Sequence, residues 1–216
     1  MPEVILRNLP FLLQGLALTL SLATLAAAGG TALGVVVAAV RYGGVKLAAP
    51  LLAAYVEFMR GTPLLIVLFI CHFALPALLG YKASAFGAAT LGFILFTGAY
   101  IAEDIRAGLA AVPKGQIEAG LASGLRPREV LRLIVLPQAL RAAIPMLFNQ
   151  YVRLVKFTSV ASVIGVHELT GDAMLVNARD FAPITILATI AATYLVCCSL
   201  ISLAGRLLYR RLGAPA

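Results

Sequence analysis

The sequence contains no tryptophan and few charged residues. Only 12% of its 216 residues are Asp, Glu, Lys or Arg, whereas 62% are apolar. Soluble domains carry about 25% charged residues, so this chain has too few to cover a surface that faces water. The mean hydropathy of +0.99 indicates that most of the exterior faces lipid. Because the apolar runs are continuous and do not alternate, we expect one all-α integral membrane domain spanning 1–216.

Residues that would support catalysis are also scarce. Cys71, Cys197 and Cys198 lie inside apolar runs without metal-ligand spacing, so we expect reduced packing residues and no metal site. No Ser/His/Asp, Cys/His or paired-carboxylate arrangement points to an enzyme. The nucleotide-binding pattern G-x-x-x-x-G-K-[ST] is absent. The chain is therefore expected to bind no nucleotide or other cofactor itself.

The net charge of +8 comes from basic residues scattered in short segments between the apolar runs. That distribution favours topology signals over a nucleic-acid-binding patch, so no nucleic-acid partner is expected. The first apolar run has no charge between Arg7 and Arg41. It is much longer than the 7–15 residues of a signal-peptide core and is interpreted as a membrane span.

Five apolar stretches approach or exceed the roughly 20 residues that a spanning helix needs. A mildly amphipathic segment, Leu47–Met59, precedes the second of them. Polar breaks are expected at 80–84 and 167–180, and a cytoplasmic loop at 106–141. The predicted spans are Leu12–Val40, Leu64–Leu79, Ala85–Ile105, Ala142–Gly165 and Phe181–Leu203.

The distribution of basic residues predicts the orientation of these five spans. With the C-terminus in the cytoplasm, the inside segments hold 12 basic residues, Lys46 among them. The outside segments then hold 3, namely Arg7, Lys82 and Arg179. The positive-inside rule therefore predicts an outside N-terminus, a cytoplasmic C-terminus and membrane lipid around the helices.

The loop between the third and fourth spans contains two closely spaced glycines. It reads Glu118-Ala119-Gly120-Leu-Ala-Ser123-Gly124, then nine residues, then Ile134-Val-Leu136-Pro137. A glycine inside a helix costs about 1 kcal/mol relative to alanine, so these two point to a purpose other than helix stability. Small side chains allow a helix to approach another protein closely. Pro127 should force a turn at Arg126. The alternative is an ordinary surface helix whose glycines only allow local turning.

This pattern resembles the EAA loop of ABC-importer permeases, with Gly120 in place of the second alanine. Four further segments resemble the polar amino-acid branch of those permeases, namely Phe58–Leu65, Val112–Gln116, Leu136–Ala139 and the Thr158-Ser159 pair after Lys156. The likeness as a whole extends from about Leu12 to Arg211.

The resemblance implies an ABC type I importer fold in the bacterial inner membrane. Two permease chains, identical or homologous, would form one path for polar amino acids. An extracytoplasmic solute-binding protein would deliver the solute. A separate ATPase would dock on the loop, through Glu118, Ala119, Gly120, Ser123 and Gly124.

The fourth span is polar for a membrane helix. Asn149, Arg153, Lys156 and Ser159 recur at a spacing that places them on one face. A charge at the bilayer centre costs about 2.5–3.5 kcal/mol, so these side chains should avoid lipid. We expect them to line the substrate pathway. The alternative is that Arg153 and Lys156 only brace the bundle by pairing with an acidic residue, namely Glu57, Glu103 or Glu168.

Compared with the family, Arg153 adds a cation and Phe157 removes a polar group. Arg153 and Asn149 are therefore expected to hold a solute carboxylate, which favours zwitterionic or acidic amino acids.

Other polar residues in the spans have structural interpretations. Glu103 and Asp104 are expected to pair with Arg106 or Lys114, and His72 to be a hydrogen-bonded packing residue. A stand-alone secondary transporter or channel is the competing function. It would be expected to show inverted repeats or an intramembrane acid relay, and neither is evident.

Overall fold

The computed structural model describes residues 2–43 and 47–211, and within them it confirms the all-α prediction. Lys46, counted among the inside basic residues, lies outside these ranges. Eight helices occur in the described ranges. They are α1 (Pro2–Tyr42), α2 (Ala48–Gly61), α3 (Leu64–Leu79), α4 (Ala85–Ala110), α5 (Lys114–Ala122), α6 (Pro127–Ile164), α7 (Leu169–Asp180) and α8 (Pro183–Arg211).

Four of the described helices, α1, α4, α6 and α8, are long and apolar enough to cross a membrane. Helices α2 and α3 meet at an angle of 113° and give a fifth span if the bent pair is counted as one. The bend lies at Thr62 and Pro63, whose ψ angles of 134° and 135° are extended. Proline disfavours the helical conformation of the residue before it, which ends α2 here. Five is thus the upper count.

Prolines also explain two wide turns inside the helices. Residues Ile70–Ala74 of α3 and Leu131–Val135 of α6 form π-helical turns, and Pro76 and Pro137 follow them. A proline ring lacks the N–H group and clashes with the carbonyl four residues earlier, so a wider turn relieves the conflict. His72 lies in the first of these turns.

The predicted polar break at 167–180 does separate two candidate spans, but most of this segment is the helix α7, which was not predicted. Glu168 caps it by accepting a hydrogen bond from the Gly171 N–H at 2.7 Å. Helix α7 lies close against α1, since a Cβ atom at Gly15 would come 2.8 Å from Asp172 Oδ2. Low hydropathy concealed this helix in the sequence.

Two other predicted boundaries are also corrected. Helix α1 begins at Pro2, not at Leu12, because its polar first turns are held by residues of α7. The loop at 106–141 is largely helical: α4 continues to Ala110, and α6 begins at Pro127. The expected turn at Arg126 is confirmed, with ψ at 153°.

Helices α1 and α4 pack together through glycines. A Cβ atom added at Gly34 would lie 2.6 Å from Ile101, and one at Gly98 would lie 2.8 Å from Leu33. Gly29 and Gly30 approach the side chains of α4 in a similar way. Small residues are the usual means by which membrane helices approach each other.

We expect Gly34→Ala to destabilise the protein by about 1–3 kcal/mol, because the new methyl group would overlap Ile101 and the Gly98 carbonyl. Thermal unfolding in detergent measures the effect. Gly61→Ala is the matched control, since nothing lies within 4 Å of its added Cβ. Equal melting temperatures for the two variants would contradict the packing argument.

Candidate functional site

Helix α5 forms a small protruding unit with the start of α6. Pro113 is extended and begins α5, while Gly124 ends it in the left-handed conformation, with φ at 84°. The Leu125 N–H donates to the Gly120 carbonyl at 3.2 Å, as expected for a glycine-terminated helix. A small apolar cluster lies beneath this unit, comprising Val112, Val130, Val135 and Ala139.

The structure assigns the two loop glycines local roles. Gly120 is buried, and a Cβ atom there would lie 2.6 Å from Ile134 of the same chain. Nothing lies within 4 Å of a Cβ atom at Gly124, but its positive φ favours glycine. Both glycines therefore have a role within the chain, so their cost to the helix does not by itself require a partner. Docking through these residues stays a prediction.

The remaining predicted docking residues lie on the surface. Glu118, Ala119, Ser123 and Gly124 are exposed. A groove of about 440 Å³ runs between α5 and α6, and its lining residues include Gln116, Ala119, Ser123, Leu133 and Gln138. The Gln138 side chain donates a hydrogen bond to Gln116 and ties the two helices together. This surface can accept a complementary ridge of another protein.

The polar residues of the fourth predicted span face different neighbours. The Arg153 guanidinium lies 5.3 Å from the centre of the Tyr100 ring on α4. Asn149 lines a groove with Phe148, Gly205 and other residues of α6 and α8. Lys156 is exposed, and the Ser159 hydroxyl donates to the Lys156 carbonyl at 2.8 Å. The side chains of these four residues therefore do not meet at one common site in the structure.

The acidic partners that the bracing alternative expects for Arg153 and Lys156 are not found in the described residues. Neither side chain forms an ion pair with Glu57, Glu103 or Glu168 there. Arg153, on α6, instead stacks on Tyr100 of α4. It also interacts electrostatically with Asp104, which lies on α4 as well. A second guanidinium, that of Arg60, lies 5.8 Å from the Tyr100 ring.

Glu103 is the centre of a charged cluster near the C-terminal ends of α1, α2 and α4. It accepts two hydrogen bonds from Arg106, at 2.8 and 2.6 Å, which confirms the predicted pair. Arg41 of α1 and Arg60 of α2 also approach it, at 3.6 and 3.8 Å. One carboxylate therefore links the ends of α1, α2 and α4.

His72 packs as predicted but without the predicted hydrogen bond. Its ring meets Phe73 edge-on at 4.6 Å between centres. Its Nδ1 atom is buried and has no hydrogen-bond partner within residues 2–43 and 47–211.

A buried network at the opposite end was missed by sequence reasoning. Glu168 is fully buried, and its carboxylate accepts hydrogen bonds from Thr19 at 3.4 Å and Tyr194 at 2.9 Å. It connects α1, α7 and α8. No sequence signal pointed to it, because glutamate is not among the preferred N-cap residues and the partners Thr19 and Tyr194 are distant in the chain.

Two further acidic residues, Asp172 and Asp180, lie near that network. The Arg7 guanidinium and the Asn8 amide bind Asp180, so the hydrogen bond from Arg7 lowers the pKa of that carboxyl. Burial raises the pKa of Asp172 above its usual value, although His167 Nδ1 lies 3.1 Å from it. These contacts fix α7 on the first turns of α1.

We expect the Asp180 contact to weaken in acid. Its folded pKa is lowered, so its stabilising effect is complete above the ordinary value of 3.8 and is lost as pH falls through the folded value. Melting temperatures between pH 6 and pH 3 should fall more steeply for the wild type than for Asp180→Asn. Parallel curves would contradict this account. Glu3→Gln serves as the control for removal of an exposed carboxyl group.

Together these observations define a multi-pass helical membrane protein in which α5 and the start of α6 form a separate small unit at one end. Residues 30–214 match the family described as binding-protein-dependent transport system inner membrane component. The chain belongs to this family.

Three comparisons extend this result. The chain is 36% identical over 205 residues to the glutamine transport system permease protein GlnP of Escherichia coli, covering 94% of each. It is 38% identical over 204 residues to the L-cystine transport system permease protein TcyB of Bacillus subtilis, covering 94% of this chain and 87% of that one. The crystal structure of an amino acid ABC transporter with histidines matches with a TM-score of 0.90 and 31% identity, covering 96% of both chains.

The expected ABC type I importer fold and permease class are confirmed. The chain is a transport subunit of an ABC importer and not an enzyme, since hydrolysis in this family is performed by a partner ATPase. Family membership implies an ATPase, a second permease and a binding protein as general partners. The stand-alone transporter alternative receives no support from these comparisons.

Proposed function

We propose that this chain forms the membrane path by which polar amino acids enter a bacterial cytoplasm across the inner membrane. The observation that carries the proposal is the likeness to GlnP, a glutamine permease, over 94% of both chains. TcyB, named for cystine, supports the same substrate class. Glutamine has one carboxylate and an amide side chain, and cystine has two carboxylates and two amino groups, so both are polar amino acids with a free carboxylate.

In this proposal a separate ATPase, which uses ATP and Mg²⁺, docks on the exposed face of α5. Glu118, Ala119, Ser123 and Gly124 supply the surface, while Gly120 keeps α5 seated on α6. Movement of the ATPase would pass through the apolar cluster beneath α5 into α4 and α6. A second permease chain completes the path, and a solute-binding protein docks at the opposite end.

The orientation proposed from charge places α5 and the C-terminus in the cytoplasm. The cluster of Arg41, Arg60 and Arg106 around Glu103 lies at this same end, as the positive-inside rule requires. The Arg7 and Asp180 contact then lies outside.

The first test examines docking on α5. Ala119→Trp should weaken co-purification of the ATPase by roughly tenfold, because a bulky ring would obstruct a central contact of the interface. Ala122→Trp is the control, as Ala122 is exposed on the same helix but does not line the groove. Membrane insertion of both variants is measured in parallel. Full ATPase retention by Ala119→Trp would remove the docking assignment.

The second test examines substrate charge. Arg153→Met should lower amino-acid uptake about tenfold or more, because a charge-assisted contact with the solute carboxylate is lost. Expression and basal ATPase turnover should persist. Arg141→Met is the control on the same helix, since Arg141 is exposed.

The structure also offers Arg153 a bracing role through its stacking on Tyr100. Melting temperatures separate the two roles. Normal uptake by Arg153→Met together with a lowered melting temperature would favour bracing. Preferred transport of arginine or lysine would also contradict the proposed carboxylate contact.

A further inference from the structure

Two adjoining cavities lie near α5, where α1 and α4 end and α6 begins. The first has a volume of about 390 Å³ and an almost entirely apolar lining, which includes Val35, Ile105, Leu131 and Leu136. The second has a volume of about 460 Å³ and includes Arg41 and Arg106. Ala38, Tyr42 and Leu109 line both cavities, so the two form one continuous cleft.

The polar part of the cleft has an excess of positive charge. Arg41 and Arg106 share the Glu103 carboxylate, at 3.6 and 2.6 Å, and Arg60 also approaches it at 3.8 Å. The hydrogen bonds to Glu103 come mainly from Arg106, whose Nε and Nη2 atoms both donate to the Oε1 atom of Glu103. The two cationic side chains of the cleft are therefore only partly neutralised.

Arg41 has an unused hydrogen-bond donor. Its side chain is 22% exposed, and its buried Nη1 atom lies 3.6 Å from Glu103 Oε2, too far for a hydrogen bond. That atom has no hydrogen-bond partner in the part of the chain that the structure describes. Buried N–H groups are nearly always paired in folded proteins. Arginine has a planar fork of donors that matches a phosphate group, and two such arginines can grip one phosphate.

We propose that this cleft binds an anionic phospholipid from the surrounding leaflet. Arg41 and Arg106 hold the phosphate region of the headgroup, and the apolar cavity holds part of an acyl chain. The exposed Tyr42 lies between the two parts, as aromatic residues commonly do at the level of lipid headgroups. Basic pockets between membrane helices on the cytoplasmic side are known to bind anionic headgroups.

The lining of the cleft, apolar in one part and basic in the other, favours a lipid over a polar solute or a protein ridge. An amino acid would leave the 390 Å³ apolar cavity without a complementary group, whereas an acyl chain matches its lining. A second copy of the apolar α1 face would fill that cavity but supply no anion for Arg41. One ligand with an anionic head and an apolar tail satisfies both parts.

Binding of fluorescent phosphatidylglycerol and phosphatidylcholine to the full chain in detergent tests the proposal. The wild type should prefer phosphatidylglycerol. Arg41→Gln should weaken phosphatidylglycerol binding about fivefold, the effect of one basic side chain near a headgroup. It should weaken phosphatidylcholine binding less, because the choline cation of that lipid already offsets its phosphate. Arg210→Gln is the matched charge control, because Arg210 is exposed on α8 outside the cleft.

The apolar cavity has its own matched pair of variants. Ala39 is exposed and lines the cavity, so Ala39→Phe should reduce binding of both lipids by filling the space. Ala32→Phe is the control two turns earlier on the same helix, where the alanine is exposed but does not line the cavity. These two variants, together with Arg106→Gln, decide the question if Arg41→Gln fails to fold.

Three results would overturn the proposal. The first is equal binding of the two lipids to the wild type. The second is an equal loss for Arg41→Gln and Arg210→Gln, which would indicate only general surface charge. The third is dissociation of a permease pair by Ala39→Phe, which would show that a second copy covers the cleft.

Discussion

Hydrocarbon cannot hydrogen-bond, and this constraint determines where the polar groups of this chain are placed. Charged side chains must lie at helix ends or find partners inside the bundle. The structure places them in two groups at opposite ends. At one end Glu103 links Arg41, Arg60 and Arg106, and at the other Glu168 and Asp180 tie α7 to α1.

The two ends are joined by close helix contacts that contain little polar surface. Helix α1 runs along α4, with Gly34 and Gly98 allowing the backbones to approach. Between helices in lipid, packing replaces the hydrophobic effect as the source of association, so these contacts depend on small residues.

Sequence patterns predicted the parts of the fold that depend on local chemistry. Continuous apolar runs located the four long helices, and Pro127 correctly predicted the turn before α6. The EAA-like spacing predicted the family, which the comparisons confirm. The docking and pathway residues stay predictions, because these depend on partners and solutes that the chain does not contain.

The errors have a common physical origin in contacts between distant residues. Helix α7 was missed because its stability comes from Thr19, Tyr194 and the first turns of α1, not from its own hydropathy. Gly120 was assigned to a partner surface because its contact with Ile134 depends on how α5 folds back. The even spacing of Asn149 and Arg153 likewise did not predict that they face different helices.

The central claim is that the end of the bundle bearing α5 and the Glu103 cluster faces the cytoplasm, where an ATPase can reach it. Single cysteines at Lys82 and Ser123, both exposed, test it in a variant that lacks Cys71, Cys197 and Cys198. The account predicts that an impermeant thiol reagent labels position 82 in intact cells and position 123 only after lysis. Labelling of position 123 in intact cells, with position 82 protected, would contradict it.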